Sequence, residues 1–414
     1  MYTIIMCYIQ FAFGITCTSV GPCLVDLKNI FKQKDMQIVF LYNSINSVGY
    51  IIGSLFGSVK QINRQLRIIV LLTAMGIALI FIPRASLYVL FVCGFIIGLG
   101  GGSWDSTFNV WVIEMWKDRS GPLLQLALFA FGIGSVVGPL IDKPFIIGDV
   151  NSDDDDTKIE TIDRSSSLDI PFAIIGSIQL LGAILMLIMY LIKKYEKPDE
   201  YSEGSECQIN VNETKDTRIK IDSSNSPLKR IIALSALCFA SFTVIENCFF
   251  QFSPTYNQYI PLHLCAPKAA FILSMMATCF TLGRFLSIFM AIKLKPETML
   301  TYHYISILIA LIVLLFAQNS LIAIYVGNIL IGFGLSAMWA LMYSFMDQYI
   351  VITERISSIL IFAVGILSAT SPLLLGPYIQ DEPIVLVYFS AACIAISVLS
   401  YITILYLIYN SLDL

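Results

Sequence analysis

Leu128–Leu140 reads LFAFGIGSVVGPL, and Ile361–Leu373 reads IFAVGILSATSPL. The two stretches lie 233 residues apart and agree at seven of thirteen positions, among them Gly132/Gly365, Ser135/Ser368 and Pro139/Pro372. The same shift lays Gly94 on Gly327 and Glu114 on Asp347. One offset that spans two helices and a terminal acid is hard to obtain by chance, even in biased apolar sequence. It implies that one half of the chain repeats in the other with the same orientation. That is the plan of secondary transporters, whose solute sites lie at mid-membrane depth between the repeats.

Composition sets the surroundings of the repeat. Of 414 residues, 57% are hydrophobic and 13% charged, and mean hydropathy is +0.79, too few charges to coat a soluble surface. Apolar runs of membrane-crossing length recur along the chain. Twelve spans are predicted, at about 3–24, 37–59, 66–83, 87–113, 122–146, 169–192, 231–252, 267–291, 298–317, 320–346, 356–379 and 384–409. The fold class is therefore an all-α membrane protein, twelve transmembrane helices in two pseudo-symmetric six-helix bundles. A polar segment divides them: residues 1–192 form one bundle, 193–230 a flexible cytoplasmic linker and 231–414 the second bundle.

Of the 25 Lys and Arg residues, sixteen fall in loops on one side and eight on the other, and Arg284 lies within a span. The positive-inside rule then puts both termini in the cytoplasm. The acidic 147–168 loop lies outside. The sequon Asn212-Glu213-Thr214 lies inside, where it would go unused. The first span begins almost at Met1 without a basic leader, so it reads as a retained helix and not as a cleaved signal. The ten cysteines are scattered with no CxxC pair and read as packing residues. No nucleophile with a placed base, nucleotide-phosphate loop or metal spacing is found, so neither an enzyme nor an ATP-driven pump is expected. The glycine run Gly98 and Gly100–Gly102 falls inside a span and is expected to allow close helix contact.

Polar residues inside spans are functional suspects. Asp105 and Asn109 share a helical face, and a carboxylate with an amide oxygen suits a hard cation such as Na⁺ or a hydroxylated ligand. Glu246, beside Asn247 and before Gln251, suits hydroxyl recognition or cation coupling. Each acid has a plainer reading as a helix–helix partner, for instance of Arg284. Gln10, Asn43, Asn46 and Gln125 carry amides that both donate and accept, as sugar recognition requires, and each could equally be interhelical glue. Trp104 and Trp339 are candidate stacking platforms, or ordinary packing residues. Glu114 and Asp347 close the repeated helices, with Arg64, Arg67, Arg119 and Arg355 as available partners. These six read as a cytoplasmic gate that breaks as the halves rock.

Further motifs narrow the class. Gly21-Pro22 followed by Asp26, Asp105 with Asn109, the run Gly121-Pro122 to Gln125, then Gly132, Pro139-Leu140 and Lys143-Pro144-Phe145, and Gly283-Arg284 together resemble the sodium-dependent glucose transporter branch of the major facilitator superfamily. The resemblance covers the whole chain and implies a plasma-membrane carrier of hexose or a related small neutral solute. It works by alternating access, as a monomer, with no nucleic-acid partner and no cofactor; Na⁺ is the candidate coupling ion. One departure stands out. The superfamily's loop after span two usually reads Gly-x-x-x-Asp-Arg-x-Gly-Arg-Arg, whereas Gly57–Arg67 reads GSVKQINRQLR, with Lys60 about where the acid is expected. Two alternatives stay open at this point: a proton-coupled carrier of a small organic acid that uses Arg284 and Glu246, and a non-transporting sensor or scaffold.

Overall fold

A computed structural model describes residues 2–57, 63–116, 120–149, 164–195, 226–350 and 354–411. These residues form thirteen α-helices. They are α1 (Tyr2–Ile30), α2 (Met36–Gly57), α3 (Arg64–Phe81), α4 (Leu87–Trp116), α5 (Ser120–Asp142), α6 (Arg164–Ile192), α7 (Ser226–Tyr259), α8 (Ala266–Ala291), α9 (Pro296–Phe316), α10 (Leu321–Leu335), α11 (Met338–Tyr349), α12 (Glu354–Leu375) and α13 (Val385–Ser411). Helix is the state that pairs every backbone group within one apolar segment. Ten stretches are long and apolar enough to cross a bilayer, and two shorter apolar helices, Leu126–Asp142 and Ile359–Leu375, bring the total to the twelve expected. Helices α10 and α11 together make one crossing, Leu321–Tyr349.

The 233-residue shift carries α2 onto 269–290, inside α8. It carries α4 onto 320–349, which is α10 with α11, and α5 onto 353–375, which is α12. Packing between the halves obeys the same relation. The principal pairs are α2 with α12, α5 with α8, and α1 with α7. Exchange of the halves turns the first pair into the second and leaves the third unchanged, which is the pattern of a two-fold axis between the bundles.

Apolar helices gain no hydrophobic drive toward one another in lipid, so close backbone approach must hold them. Glycine supplies it. A Cβ on Gly98 would lie 2.0 Å from the Asn46 carbonyl oxygen, and one on Gly102 2.0 Å from that of Tyr50, so α4 rests directly on α2. Likewise α1 and α5 meet where a Cβ on Gly14 would lie 2.1 Å from the Phe131 carbonyl oxygen and one on Gly134 2.0 Å from that of Phe11. In the second half, Gly332 meets the Met276 carbonyl at 2.3 Å, between α10 and α8. This α8–α10 contact is the repeat of the α2–α4 contact.

One end of the bundle carries a knot that joins the halves. Lys28 Nζ donates to Asp149 Oδ2 and to the Tyr259 hydroxyl, both at 2.7 Å, and Tyr259 donates onward to Asp149. Asn29 adds a 2.7 Å bond to the other Asp149 oxygen. Asp26 accepts from the backbone N–H groups of Ile147 and Gly148, which fixes the segment that presents Asp149. Just below, Phe40 of α2 stacks on Phe252 of α7 at 4.2 Å. Burial alone would raise Asp149, but the bonds from Lys28, Tyr259 and Asn29 outweigh it and hold the carboxyl below its usual range. A lowered acid contributes stability above its unfolded value of about 3.9, and loses that contribution as pH falls through the folded value. The knot is therefore complete at neutral pH.

Two outcomes follow. Gly102→Val should sharply reduce the yield of monodisperse protein on size exclusion, whereas Gly100→Ala, whose Cβ would meet the flexible Met75 sulfur at 3.2 Å and the Leu71 carbonyl oxygen at 3.3 Å, should cost much less. Lys28→Met should lengthen the distance between spin labels at Lys34 and Cys265 in double electron–electron resonance; an unchanged distance would remove the knot as a lock between the halves.

Candidate functional site

Between the halves, at the middle of the bundle, three ionisable side chains gather. Asp105 comes from α4, Glu246 from α7 and Arg284 from α8. The Tyr50 hydroxyl donates to Asp105 Oδ2 at 2.6 Å, and Gln10 of α1 lies against the same carboxylate. Arg284 Nη2 stands 3.9 Å from Glu246 Oε1, and its charge also reaches Asp105. Its Cζ lies 4.2 Å from the centre of the Phe280 ring. Glu246 Oε2 is buried without a hydrogen-bond partner among the described residues. Two carboxyl groups thus face one guanidinium in a low-dielectric space, so one of them calls for a proton or a second cation.

Local backbone structure explains the arginine's position. The tenth crossing breaks after Leu335 and restarts at Met338 through a turn at Ser336 and Ala337. The break takes the Ser336 carbonyl out of the helical ladder, and Arg284 Nε donates to it at 2.9 Å. At the repeated position, Ser103, helix α4 runs unbroken. The discontinuity belongs to one half only, where the buried guanidinium needs an acceptor.

Other candidates flank this centre. Gln251 Nε2 donates across the halves to the Cys17 carbonyl at 2.7 Å and keeps Oε1 unpartnered. Asn247 Nδ2 donates to the Ser368 hydroxyl at 2.9 Å, which ties α7 to α12. Gln10 Oε1 and Asn43 Nδ2 are buried without partners among the described residues. Trp339 is half-buried and sits edge-on to Phe239 and Phe242, the latter one turn before Glu246.

The remaining residues stand apart. Trp104 is wholly buried beside Phe108, so its indole offers no open face for stacking. Asn46 donates to the Gly94 carbonyl at 3.1 Å and acts as glue between α2 and α4. Asn109 is exposed and donates to the backbone carbonyl of Asp105 at 3.0 Å; its amide does not meet the Asp105 carboxylate. The side chain of Gln125 lies outside the described residues.

At the end of the bundle opposite Lys28, Arg64 grips Glu114 with two bonds of 2.7 and 3.1 Å. The pair ties α3 to α4 within one half and does not cross between halves. Buried Arg67 reaches the Thr107 hydroxyl at 3.4 Å. Asp347 is exposed, and the side chains of Arg119 and Arg355 lie outside the described residues. The repeat position of Arg64 is Glu297, which accepts from Tyr349 at 3.2 Å, so the second half cannot copy the Arg64–Glu114 pair.

Several participants escaped the sequence reading. Tyr50 looks like any hydroxyl residue in a span and Ser336 takes part through its backbone carbonyl, and only tertiary packing brings them to Asp105 and Arg284. Asp149 lies in an acidic loop whose charges read as solvated. Asp142 closes α5 fully buried, beside Ser19, with neither carboxylate oxygen in a hydrogen bond among the described residues. Its place at a predicted span end hid it.

The sequence profile of the Major Facilitator Superfamily matches residues 6–372, and the chain belongs to that family. The fold and family are those of a membrane transporter. Among its relatives, "Sodium-dependent glucose transporter 1" of Xenopus laevis is 24% identical over 374 residues, covering 87% of this chain and 72% of the relative. "Major facilitator superfamily domain-containing protein 4A" of Xenopus tropicalis is 23% identical over 433 residues, covering 90% and 84%. Among solved structures, a D-xylose-proton symporter superposes with a TM-score of 0.70 at 12% identity, covering 98% of this chain and 96% of that one.

A charge-assisted bond such as Tyr50–Asp105 is worth about 1.5–3 kcal/mol. Tyr50→Phe should lower the melting temperature of the wild type and should change it much less in an Asp105→Asn background. Simple additivity in that cycle would mean that the two side chains act separately.

Proposed function

We propose that this protein is an alternating-access carrier of hexose or a related small neutral solute, coupled to a cation, with Na⁺ the first candidate. It works in the plasma membrane with both termini in the cytoplasm, so the Lys28 end faces outward and the Glu114 end inward. The observation that carries this reading is the charge count between the halves. Asp105 and Glu246 outnumber Arg284 by one, so with both acids ionised the site attracts a cation. An anionic solute would add a second negative charge there, which speaks against the organic-acid alternative. The acids differ in what they have left to bind. Asp105 already holds Tyr50 and Gln10, while Glu246 keeps one oxygen free. Glu246 is thus the coupling acid, with Asp105 held in place to recognise solute hydroxyls. Partner-seeking amides at Gln10, Asn43 and Gln251 and the ring of Trp339 complete a surface suited to a polyol. The Xenopus laevis relative supports the solute class through its name.

Proteoliposomes holding the purified chain should take up labelled glucose faster than empty liposomes, and an inward Na⁺ gradient should raise the uptake. Glu246→Gln should cut gradient-driven accumulation by about tenfold, the equivalent of one lost charge-assisted contact, while exchange of internal for external sugar persists. Uptake no faster than in empty liposomes would overturn the reading.

A further inference from the structure

Arg284 holds its partners unequally. Its Nε donates to the Ser336 carbonyl at 2.9 Å, a formed hydrogen bond. Its Nη2 stops 3.9 Å from Glu246 Oε1, about 1 Å beyond the length of a charge-assisted bond. The carbonyl is a firm anchor. Gly283, beside the arginine, packs on Ser336 so closely that a Cβ there would lie 2.4 Å from the Ser336 hydroxyl oxygen. That hydroxyl donates in turn to the Phe333 carbonyl at 2.7 Å. The other end of the guanidinium lies over a ring, with Cζ 4.2 Å from the centre of Phe280. Attraction to a ring face fixes no single bond direction.

A guanidinium tethered at one nitrogen and short of a carboxylate at another can turn about its tether. A turn that closes the gap brings Nη2 onto Glu246 and keeps the Nε bond, because the planar fork of arginine carries five donors. Of the 25 Lys and Arg residues, Arg284 alone falls within a predicted span, so it is the cation that the chain itself supplies at that depth. We propose that Arg284 is the internal counter-cation of the return step, turning about the Ser336 carbonyl onto Glu246 when the coupling cation has left; this rests on the cation-coupled reading above.

The return step needs such a partner. A carrier that has released its solute and cation must close over Glu246 before it can reopen on the other side. Burying an ionised carboxyl with nothing paired to it is costly. Asp105 does not need the arginine in that step, because Tyr50 donates to it at 2.6 Å and Gln10 lies against it. When a cation sits on Glu246, the guanidinium is released to share its charge with Asp105, which it already reaches from the Ser336 anchor. In both directions the halves close over a compensated Glu246.

The test compares two rates in proteoliposomes. One is uptake of labelled glucose into vesicles free of glucose and Na⁺, where the carrier must return empty. The other is exchange with glucose and Na⁺ on both sides, where it returns loaded. Arg284→Gln should raise the ratio of exchange to net uptake about tenfold, the equivalent of one lost charge-assisted contact. Any loss common to both rates cancels in that ratio. Adding Glu246→Gln to Arg284→Gln should bring the ratio back toward the wild type, since no carboxylate at position 246 is left to pair. Arg284→Lys keeps the charge but has one nitrogen for two acceptors, so it should raise the ratio less; it serves if Arg284→Gln does not elute as a monodisperse protein. Wild-type uptake with an unchanged ratio in Arg284→Gln, or in Arg284→Lys where that variant stands in, would overturn the proposal and leave the transport reading standing. A double variant whose ratio stays as high as that of Arg284→Gln would do the same. No uptake by the wild type would sink the transport reading and the proposal with it.

Discussion

Two acids and one arginine share the space between the halves, and an uncompensated charge at that depth is costly to hold. Much of the bundle's middle is arranged around that cost. Tyr50 and Gln10 are spent on Asp105. The tenth crossing gives up its helical ladder at Ser336 so that Arg284 has a carbonyl to bind. Gln251 and Asn247 take fixed partners on α1 and α12, which lock α7 against both halves. What remains without a hydrogen-bond partner among the described residues is one buried oxygen of Glu246, the group on which the proposed cation coupling rests.

Rigid bundles are what allow such a centre to move as two bodies. The helices of the first half touch through glycine, with carbonyls about as near as backbone can come, and packed units of this kind rock rather than deform. The repeat then departs from symmetry where chemistry requires it. Asp105 falls on Met338, Arg64 on Glu297, and the unbroken α4 on the broken pair α10 and α11. Asp26 falls on Tyr259, yet both grip the same segment, one through its backbone at Ile147 and Gly148 and the other through Asp149. Machinery shared by the halves is repeated; the parts that set charge are not.

The spans and the repeat were legible in the sequence because bilayer thickness fixes their length and one offset aligned separate helices. The glycine contacts were legible for a related reason, since only close approach explains Gly98 to Gly102 in a span. Single side chains were harder to read. Asp105, Glu246 and Arg284 stood out as charges in apolar runs, and the fold brings all three together. Trp104 and Asn46 shared the composition of site residues but face neighbouring helices, a distinction that depends on rotation about the helix axis and not on residue type. The break at Ser336 has no glycine or proline at the turn itself to signal it, and the carbonyl it frees is bound by an arginine 52 positions away. The Lys28–Asp149–Tyr259 knot joins three loops and helix ends, and no periodicity connects them.

Charge movement tests the central claim most directly. Proteoliposomes adsorbed on a solid-supported membrane should give a transient inward positive current when glucose is applied in Na⁺ buffer, and Glu246→Gln should abolish the current. Glucose uptake that proceeds with no current in the wild type, or a current that survives Glu246→Gln unchanged, would contradict the account of a site one negative charge in excess.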